Sequence, residues 1–140
     1  MQLTHRLTYP LLAGIFLVGG MDAVKDPDSK VPRAERVVPR ILSALGVQAR
    51  TEDVVRVNGV VQVAAAACLA ANVFPRIAAE VLVASLLPTT IAGHRFWEEG
   101  EPAPRAMQLT HFLKNLAVIG GLVLVATDRR KRASLSGARS

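Results

Sequence analysis

The charged residues of this chain are confined to part of its sequence. Four stretches contain no Asp, Glu, Lys or Arg, namely residues 7–21, 57–75, 81–93 and 115–127. These stretches are 15, 19, 13 and 13 residues long, so all 28 charged side chains lie in the other 80 residues. Such segregation is typical neither of a disordered chain nor of a water-soluble domain. It predicts an all-α, integral membrane four-helix bundle.

The lengths of the stretches set the limits of the predicted spans. A spanning helix needs roughly 20 predominantly apolar residues, because the hydrocarbon core is about 30 Å thick and each helical residue rises about 1.5 Å. Three of the stretches reach that length only together with their flanks. We therefore predict one membrane domain, residues 1–128, with spans at about 7–24, 53–73, 75–94 and 108–127. Residues 129–140 are predicted to form a basic, disordered cytoplasmic tail.

Two alternatives to four spans remain open. A soluble four-helix bundle would need a polar stripe on every helix, and residues 81–87 and 116–126 offer none apart from Ser85. The first apolar stretch, which follows His5 and Arg6, also has the features of a secretory signal peptide. Cleavage there would leave three spans and a very short mature N-terminus.

The basic residues indicate how the bundle is oriented. Arg129, Arg130, Lys131 and Arg132 directly follow the fourth span, and positive charge beside a span favours the cytoplasmic side. Both termini are then cytoplasmic. The count of Lys and Arg alone opposes this orientation, since the outer connections carry ten and the inner side seven, but nine acids accompany the outer ten and one acid accompanies the inner seven. The net charge of +6 thus reflects orientation. No aromatic residues alternate with the arginines, so nucleic acid is not an expected partner.

The first connection, about residues 25–50, is long for a link between two helices. Gly46 follows a run in which apolar residues recur at helical spacing. That run predicts a short interfacial helix resting on the bilayer or on the bundle, and a solvated loop is the alternative. The apolar residues of this helix are Val37, Val38, Ile41, Leu42 and Leu45.

Residues able to bind a ligand are concentrated at the outer ends of the third and fourth spans. His111, Lys114 and Asn115 share a helix face, as do Asn58 and Gln62 on the second span. Such groups suit an anionic or quinone-like headgroup. The alternative is an interfacial belt of anchoring and solvated side chains. The ligand-binding candidates are His94, Arg95, Trp97, His111, Lys114, Asn115, Asn58 and Gln62.

Familiar catalytic and cofactor motifs are missing from the sequence. The chain has one cysteine and no phosphate-binding loop, dinucleotide fingerprint or metal-ligand spacing. We therefore expect no metal site and no covalently bound cofactor, while a bound quinone remains possible. The catalytic residues, if there are any, stay unknown at this level.

Several motifs resemble the DoxX family, in its actinobacterial form, over about residues 5–127. The specific parts are PTTIAGHRFW at residues 88–97 and HFLKN at residues 111–115, and the run at 10–22 adds to them. The resemblance implies a small four-helix protein of the bacterial inner membrane. The family takes its name from a membrane subunit associated with a thiosulfate:quinone oxidoreductase, and some relatives are linked to superoxide-detoxifying and sulfurtransferase enzymes. His94, Phe96 and Trp97 carry over as signature positions only.

These observations and the resemblance lead to one leading hypothesis and two alternatives. The leading hypothesis is a non-catalytic membrane subunit, or docking platform, for quinone- or thiol-linked redox and oxidative-stress chemistry. Its expected partners are the bilayer, redox-enzyme subunits and a second copy of the chain. The first alternative is a carrier or exporter of a small lipid-like or acidic molecule, with Asn58, Gln62 and Glu80 lining the route. The second alternative is a purely structural membrane scaffold.

Overall fold

The computed structural model describes residues 2–128, with the backbone alone for residues 2–6, and the regular structure of that part is entirely helical. The predicted tail at 129–140 lies outside the described residues. The elements are α1 (Gln2–Lys25), α2 (Val31–Ala34), α3 (Val38–Leu45), α4 (Thr51–Ala70), α5 (Pro75–Gly93), a 3₁₀ turn (Phe96–Glu98) and α6 (Pro102–Thr127).

Four of these helices are long and apolar enough to cross a membrane, judged by length and composition. The qualifying segments are Leu7–Lys25, Thr51–Ala70, Pro75–Glu98 and Pro102–Thr127. The prediction of an all-α membrane bundle of four long helices is therefore confirmed.

The ends of the long helices follow from local chemistry. Pro75 and Pro102 stand in the first turns of α5 and α6, where the missing N–H has no intrahelical partner in any case. The turn between α4 and α5 uses positive φ angles at Asn72 (56°) and Phe74 (44°). Helix α6 begins six positions before the predicted start at 108, because the first turns of a spanning helix need not be apolar.

The outer surface of the bundle is apolar. Leu11 on α1, Val57 on α4, Ile77 on α5 and Leu124 on α6 are each at least 60% exposed. A soluble bundle would turn polar side chains outward at such positions. The exposed apolar faces therefore argue for lipid around the helices and against the soluble alternative.

The long helices are neighbours in the cyclic order α1, α4, α5, α6, and the most extensive contact is between α1 and α4. Their backbones touch at Gly20 and Gly59. A Cβ on Gly20 would lie 2.8 Å from the carbonyl oxygen of Gly59, and a Cβ on Gly59 would lie 2.7 Å from that of Gly20. Glycine at both positions is what allows this close approach.

The connection between α1 and α4, which we name the cap (residues 26–50), folds back over one end of the bundle. Its helix α2 contacts α4 and α5, and its helix α3 contacts α4. The short helix predicted here is confirmed as α3, ended by Gly46 in the left-handed conformation (φ 65°), so the solvated-loop alternative is wrong. We name this side of the bundle the cap end, and the side of the turn at 71–74 the loop end.

The two halves of the bundle interior differ. Toward the loop end, Leu69, Leu82 and Leu122 are fully buried and close the interior. Helices α1 and α6 share the least extensive contact among the neighbouring long helices. Leu12 lies against Gly121 there, where an added Cβ would be 3.2 Å from the Leu12 Cδ2. Toward the cap end the interior is open.

Candidate functional site

A cavity of about 480 Å³ lies between the long helices beneath the cap. Its lining covers a range of nine positions on each of three helices, from 15 to 23, from 54 to 62 and from 86 to 94. The eight rises within each range correspond to about 12 Å of helix, which is less than half of the hydrocarbon thickness. The volume falls within the range of small-molecule sites. The cavity is therefore a cup that is open toward the cap end.

A hydrogen-bonded chain of polar side chains joins α4 to α5 in the wall of this cup. The Nε2 of Gln62 donates to the Oγ of Ser85 (2.9 Å), which in turn donates to the Oδ1 of Asn58 (2.7 Å). Gln62 and Ser85 are buried, and Asn58 and Gln62 line the cavity. A primary amide carries two N–H donors, so both side chains keep hydrogen-bonding capacity for a bound molecule.

A second polar contact joins α6 to α5. The Nδ2 of Asn115 donates to the Oγ of Thr90 (3.1 Å), and that hydroxyl donates to the carbonyl of Leu86 (2.7 Å). The Thr89 hydroxyl also donates to the Leu86 carbonyl (2.9 Å). Pro88 lies inside α5 and has no backbone N–H to donate. The hydroxyls of the two threonines that follow it donate to a backbone oxygen in the same turn. Asn115 is buried and lines the cavity.

His94 ends α5 and contributes an imidazole to the cavity. Its Nδ1 lies 2.9 Å from the Oε1 of Gln108 on α6. Because a carbonyl oxygen only accepts hydrogen bonds, Nδ1 carries the hydrogen and the Nε2 of neutral His94 is an acceptor. His111 stacks on this ring, with centroids 5.2 Å apart and planes at 24°. His111 itself does not line the cavity, so its contribution is to hold His94 in place.

The mouth of the cavity is lined by cations. Lys30 and Arg33 reach it from the cap, and Lys114 reaches it from α6. The Lys30 ammonium pairs with the carboxylate of Asp22. Among the residues that the structure describes, neither Arg33 nor Lys114 has a carboxylate within ion-pair distance, and no acidic side chain lines the cavity. The mouth is therefore electropositive.

Besides His111, two further predicted ligand-binding residues lie outside the cavity, Arg95 and Trp97. Arg95 forms an ion pair with Glu98 (2.6 Å) and donates from Nε to the carbonyl of Ile91 (3.2 Å). Trp97 packs edge-to-face on Phe96 and Phe112, at centroid distances of 5.1 and 6.0 Å. The 3₁₀ turn at 96–98 directs both side chains away from the cavity. Trp97 is half exposed, as expected for an interfacial anchor.

Glu80, which the carrier alternative placed on the route, is exposed on the outer surface of α5 and does not line this cavity. The buried leucines of the loop end lie across the direction in which a route would continue. The cavity is therefore not part of a through passage in this structure.

The structure thus brings together five of the eight candidates: His94, Lys114, Asn115, Asn58 and Gln62. The sequence did not identify Ser85, Thr90 or Arg33. Ser85 was visible as the one polar residue in a strongly apolar stretch, and that was a usable signal. Arg33 gave no signal, because only the folding back of the cap brings it to the cavity.

Comparisons with protein-family models, with curated proteins and with solved structures found no match to this chain. The resemblance to the DoxX family therefore stays a prediction from its motifs. Function is argued from the geometry of the site.

Proposed function

We propose that this protein is a DoxX-like subunit of the bacterial inner membrane that binds a small amphiphilic molecule in the cap-end cavity and presents it to redox or oxidative-stress enzymes. The observation that carries the proposal is the cup-shaped cavity of about 480 Å³, in which amide and imidazole groups converge among apolar walls. A cavity of that kind holds a molecule with both a polar and an apolar part.

The polar groups suit the oxygen atoms of a quinone-type molecule or of an acid. Asn58, Gln62 and Asn115 offer amide N–H donors, and Lys114 offers an ammonium. Ile15, Phe16 and Leu86 supply the apolar wall. Several of these donors are already fixed by hydrogen bonds to Ser85 or Thr90, so little side-chain entropy is lost when a molecule binds.

The redox part of the proposal rests on the resemblance to the DoxX family. The chain has a single cysteine, Cys68, and so no internal dithiol pair. In the proposal the chain is therefore a binding and docking subunit, and a partner enzyme carries out the electron transfer. The same cavity would also serve as the loading site of a carrier. Transport would then require a second conformation in which the loop end of the bundle is open.

The proposal is tested by oxidant tolerance in the native host. A deletion strain complemented with His94→Ala or His111→Ala is expected to lose tolerance to peroxide and to thiol oxidants, at unchanged protein abundance. Loss of either ring removes the stacked pair that places the cavity imidazole. Thr110→Ala, an exposed position on the same helix as His111, is the control and should keep wild-type tolerance. Wild-type tolerance in both histidine variants would overturn the proposal.

A further inference from the structure

We infer that the amphiphile held by the cavity is a single-chain anion, with a carboxylate or phosphate headgroup at the cavity mouth. This inference rests on the proposed function and selects one of the headgroup classes that it allows. It requires that cationic groups converge at the cavity mouth and that no acidic side chain neutralises them there. It also requires an opening through which an apolar chain can reach the lipid.

The convergence comes from separate elements. Arg33 belongs to the cap and Lys114 belongs to α6, and both line the same cavity. Residues on two distant elements meet only through the tertiary fold, so the pair is not a by-product of one solvated helix face. A guanidinium and an ammonium together match a carboxylate or phosphate, whose oxygens accept several charge-assisted hydrogen bonds.

The cations near the mouth are not equally neutralised. Asp22 pairs with Lys30, which leaves that ammonium occupied. Arg36, also on the cap, is bound to Glu98 at 3.0 Å and is not part of the lining. Arg33 and Lys114 are the cations of the lining that lack such a partner in the part of the chain described. Two uncompensated positive charges at one mouth favour an anion over a neutral headgroup.

The lining residues provide different places for the headgroup and for the apolar chain of the bound molecule. Arg33 and Lys114 are exposed, which keeps the headgroup in contact with water. Ile15 and Gly19 of α1 both line the cavity and are themselves exposed, so the cavity is accessible along α1. The neighbouring contact of α1 with α6 is the least extensive among the neighbouring long helices. A chain too long for a 12 Å cup (about eight helical residues) leaves through this opening into lipid.

The test uses the full-length protein in phosphatidylcholine nanodiscs with tritiated palmitate as the probe. Unlabelled palmitate, hexadecyl phosphate, hexadecanol and decylubiquinone serve as competitors. We expect one of the two anions to compete at least about 10-fold better than hexadecanol, because a charge-assisted hydrogen bond contributes about 1.5–3 kcal/mol. The anion that competes better, palmitate or hexadecyl phosphate, shows whether the preferred headgroup is a carboxylate or a phosphate.

The variants Arg33→Gln and Lys114→Gln should each weaken binding of the preferred anion about 10-fold and leave hexadecanol binding unchanged. Arg40→Gln on the cap and Lys25→Gln at the end of α1 change the net charge equally and do not line the cavity, so they should bind the anion as the wild type does. Thermal unfolding of each variant identifies any loss of fold.

The outcomes separate the inference from the proposed function. Equal competition by palmitate, hexadecanol and decylubiquinone, with no effect of either glutamine variant, overturns the anionic headgroup and leaves amphiphile binding intact. Tighter binding of hexadecyltrimethylammonium than of both anions also overturns it. Failure of every amphiphile to bind removes the proposed function and the inference together.

Discussion

At Gly20 and Gly59 the backbones of α1 and α4 come into direct contact, with no side chain between them. Two glycines are required because each one meets a carbonyl oxygen of the opposite backbone, which cannot move aside as a flexible side chain would. In lipid, where apolar helices gain little from leaving their surroundings, such close van der Waals packing is a main source of association. The wall of the cavity formed by α1 and α4 depends on this crossing.

We expect Gly59→Ala to lower the free energy of unfolding by about 1–3 kcal/mol, because the new methyl group would overlap the carbonyl of Gly20. Gly14→Ala and Gly120→Ala are matched controls, since a Cβ at either position meets nothing within 4 Å. Those variants should be neutral or slightly stabilising, as alanine is the better helix former. Steric-trap or denaturant unfolding in detergent measures the difference. Equal stability of Gly59→Ala and the two controls would contradict the packing.

At the scale of elements, two ion pairs in the first half of the cap tie it to the rest of the bundle. Lys30 pairs with Asp22 on α1, and Arg36 pairs with Glu98 on the 3₁₀ turn. Helix α3 has no buried residue, and Leu45 is 70% exposed. Exposed ion pairs each contribute about 0–1 kcal/mol, so the cap is attached weakly compared with the long helices. It forms part of the cavity lining and is its most easily displaced part.

Removal of one anchor should therefore loosen the cap without unfolding the bundle. In Arg36→Gln we expect faster hydrogen exchange over residues 31–45 and a change in global stability of less than about 1 kcal/mol. Arg40→Gln, on the same segment and with no ion pair among the described residues, is the control and should exchange like the wild type. Unchanged exchange in Arg36→Gln would show that the pair of Arg36 with Glu98 does not hold the cap.

For the whole molecule, the sequence around the bundle sets the direction of insertion. Helix α6 ends at the loop end, and in the sequence its end is followed by bases with few acids, whereas the connections at the cap end carry both signs in nearly equal number. The positive-inside rule therefore predicts that the loop end faces the cytoplasm and that the mouth of the cavity faces outward. In that orientation the proposed ligand would enter from the outer leaflet or from the space beyond it.

Labelling of single cysteines in intact cells tests this orientation. In a Cys68→Ser background, Gly100→Cys at the cap end should react with a membrane-impermeant maleimide. Ala71→Cys, in the turn at the loop end, should react only after permeabilisation. The Cys68→Ser parent provides the blank. The opposite labelling pattern would place the loop end outside, and the cavity mouth would then face the cytoplasm.

The sequence predicted those parts of the molecule that local composition determines. Four apolar stretches predicted the four long helices, and a helical apolar spacing ended by Gly46 predicted α3. The spacing of Asn58 and Gln62 predicted that both face inward, and both line the cavity. Helical spacing is visible in one sequence because it depends on neighbours three and four positions away.

Features that depend on distant residues could not be predicted in this way. Nothing in the sequence pairs Gly20 with Gly59, and nothing places Arg33 of the cap beside Lys114 of α6. Arg95 follows His94 directly, yet the chain leaves α5 between them, so one lines the cavity and the other pairs with Glu98. Proximity in sequence was therefore a poor guide at the helix ends.

The crossing of α1 and α4 also has a consequence for biosynthesis. Gly20 and Gly59 are 39 positions apart. At a synthesis rate of about 5–20 residues per second, α1 waits about 2–8 s in the membrane before its partner is made. During that interval Gly20 of α1 has no α4 backbone packed against it. The residues of the cap likewise lack their contacts with α4 and α5. The first helix pair is therefore available for packing before α5 and α6 exist, whereas the cap makes its contacts with α5 and Glu98 only after these have been synthesised.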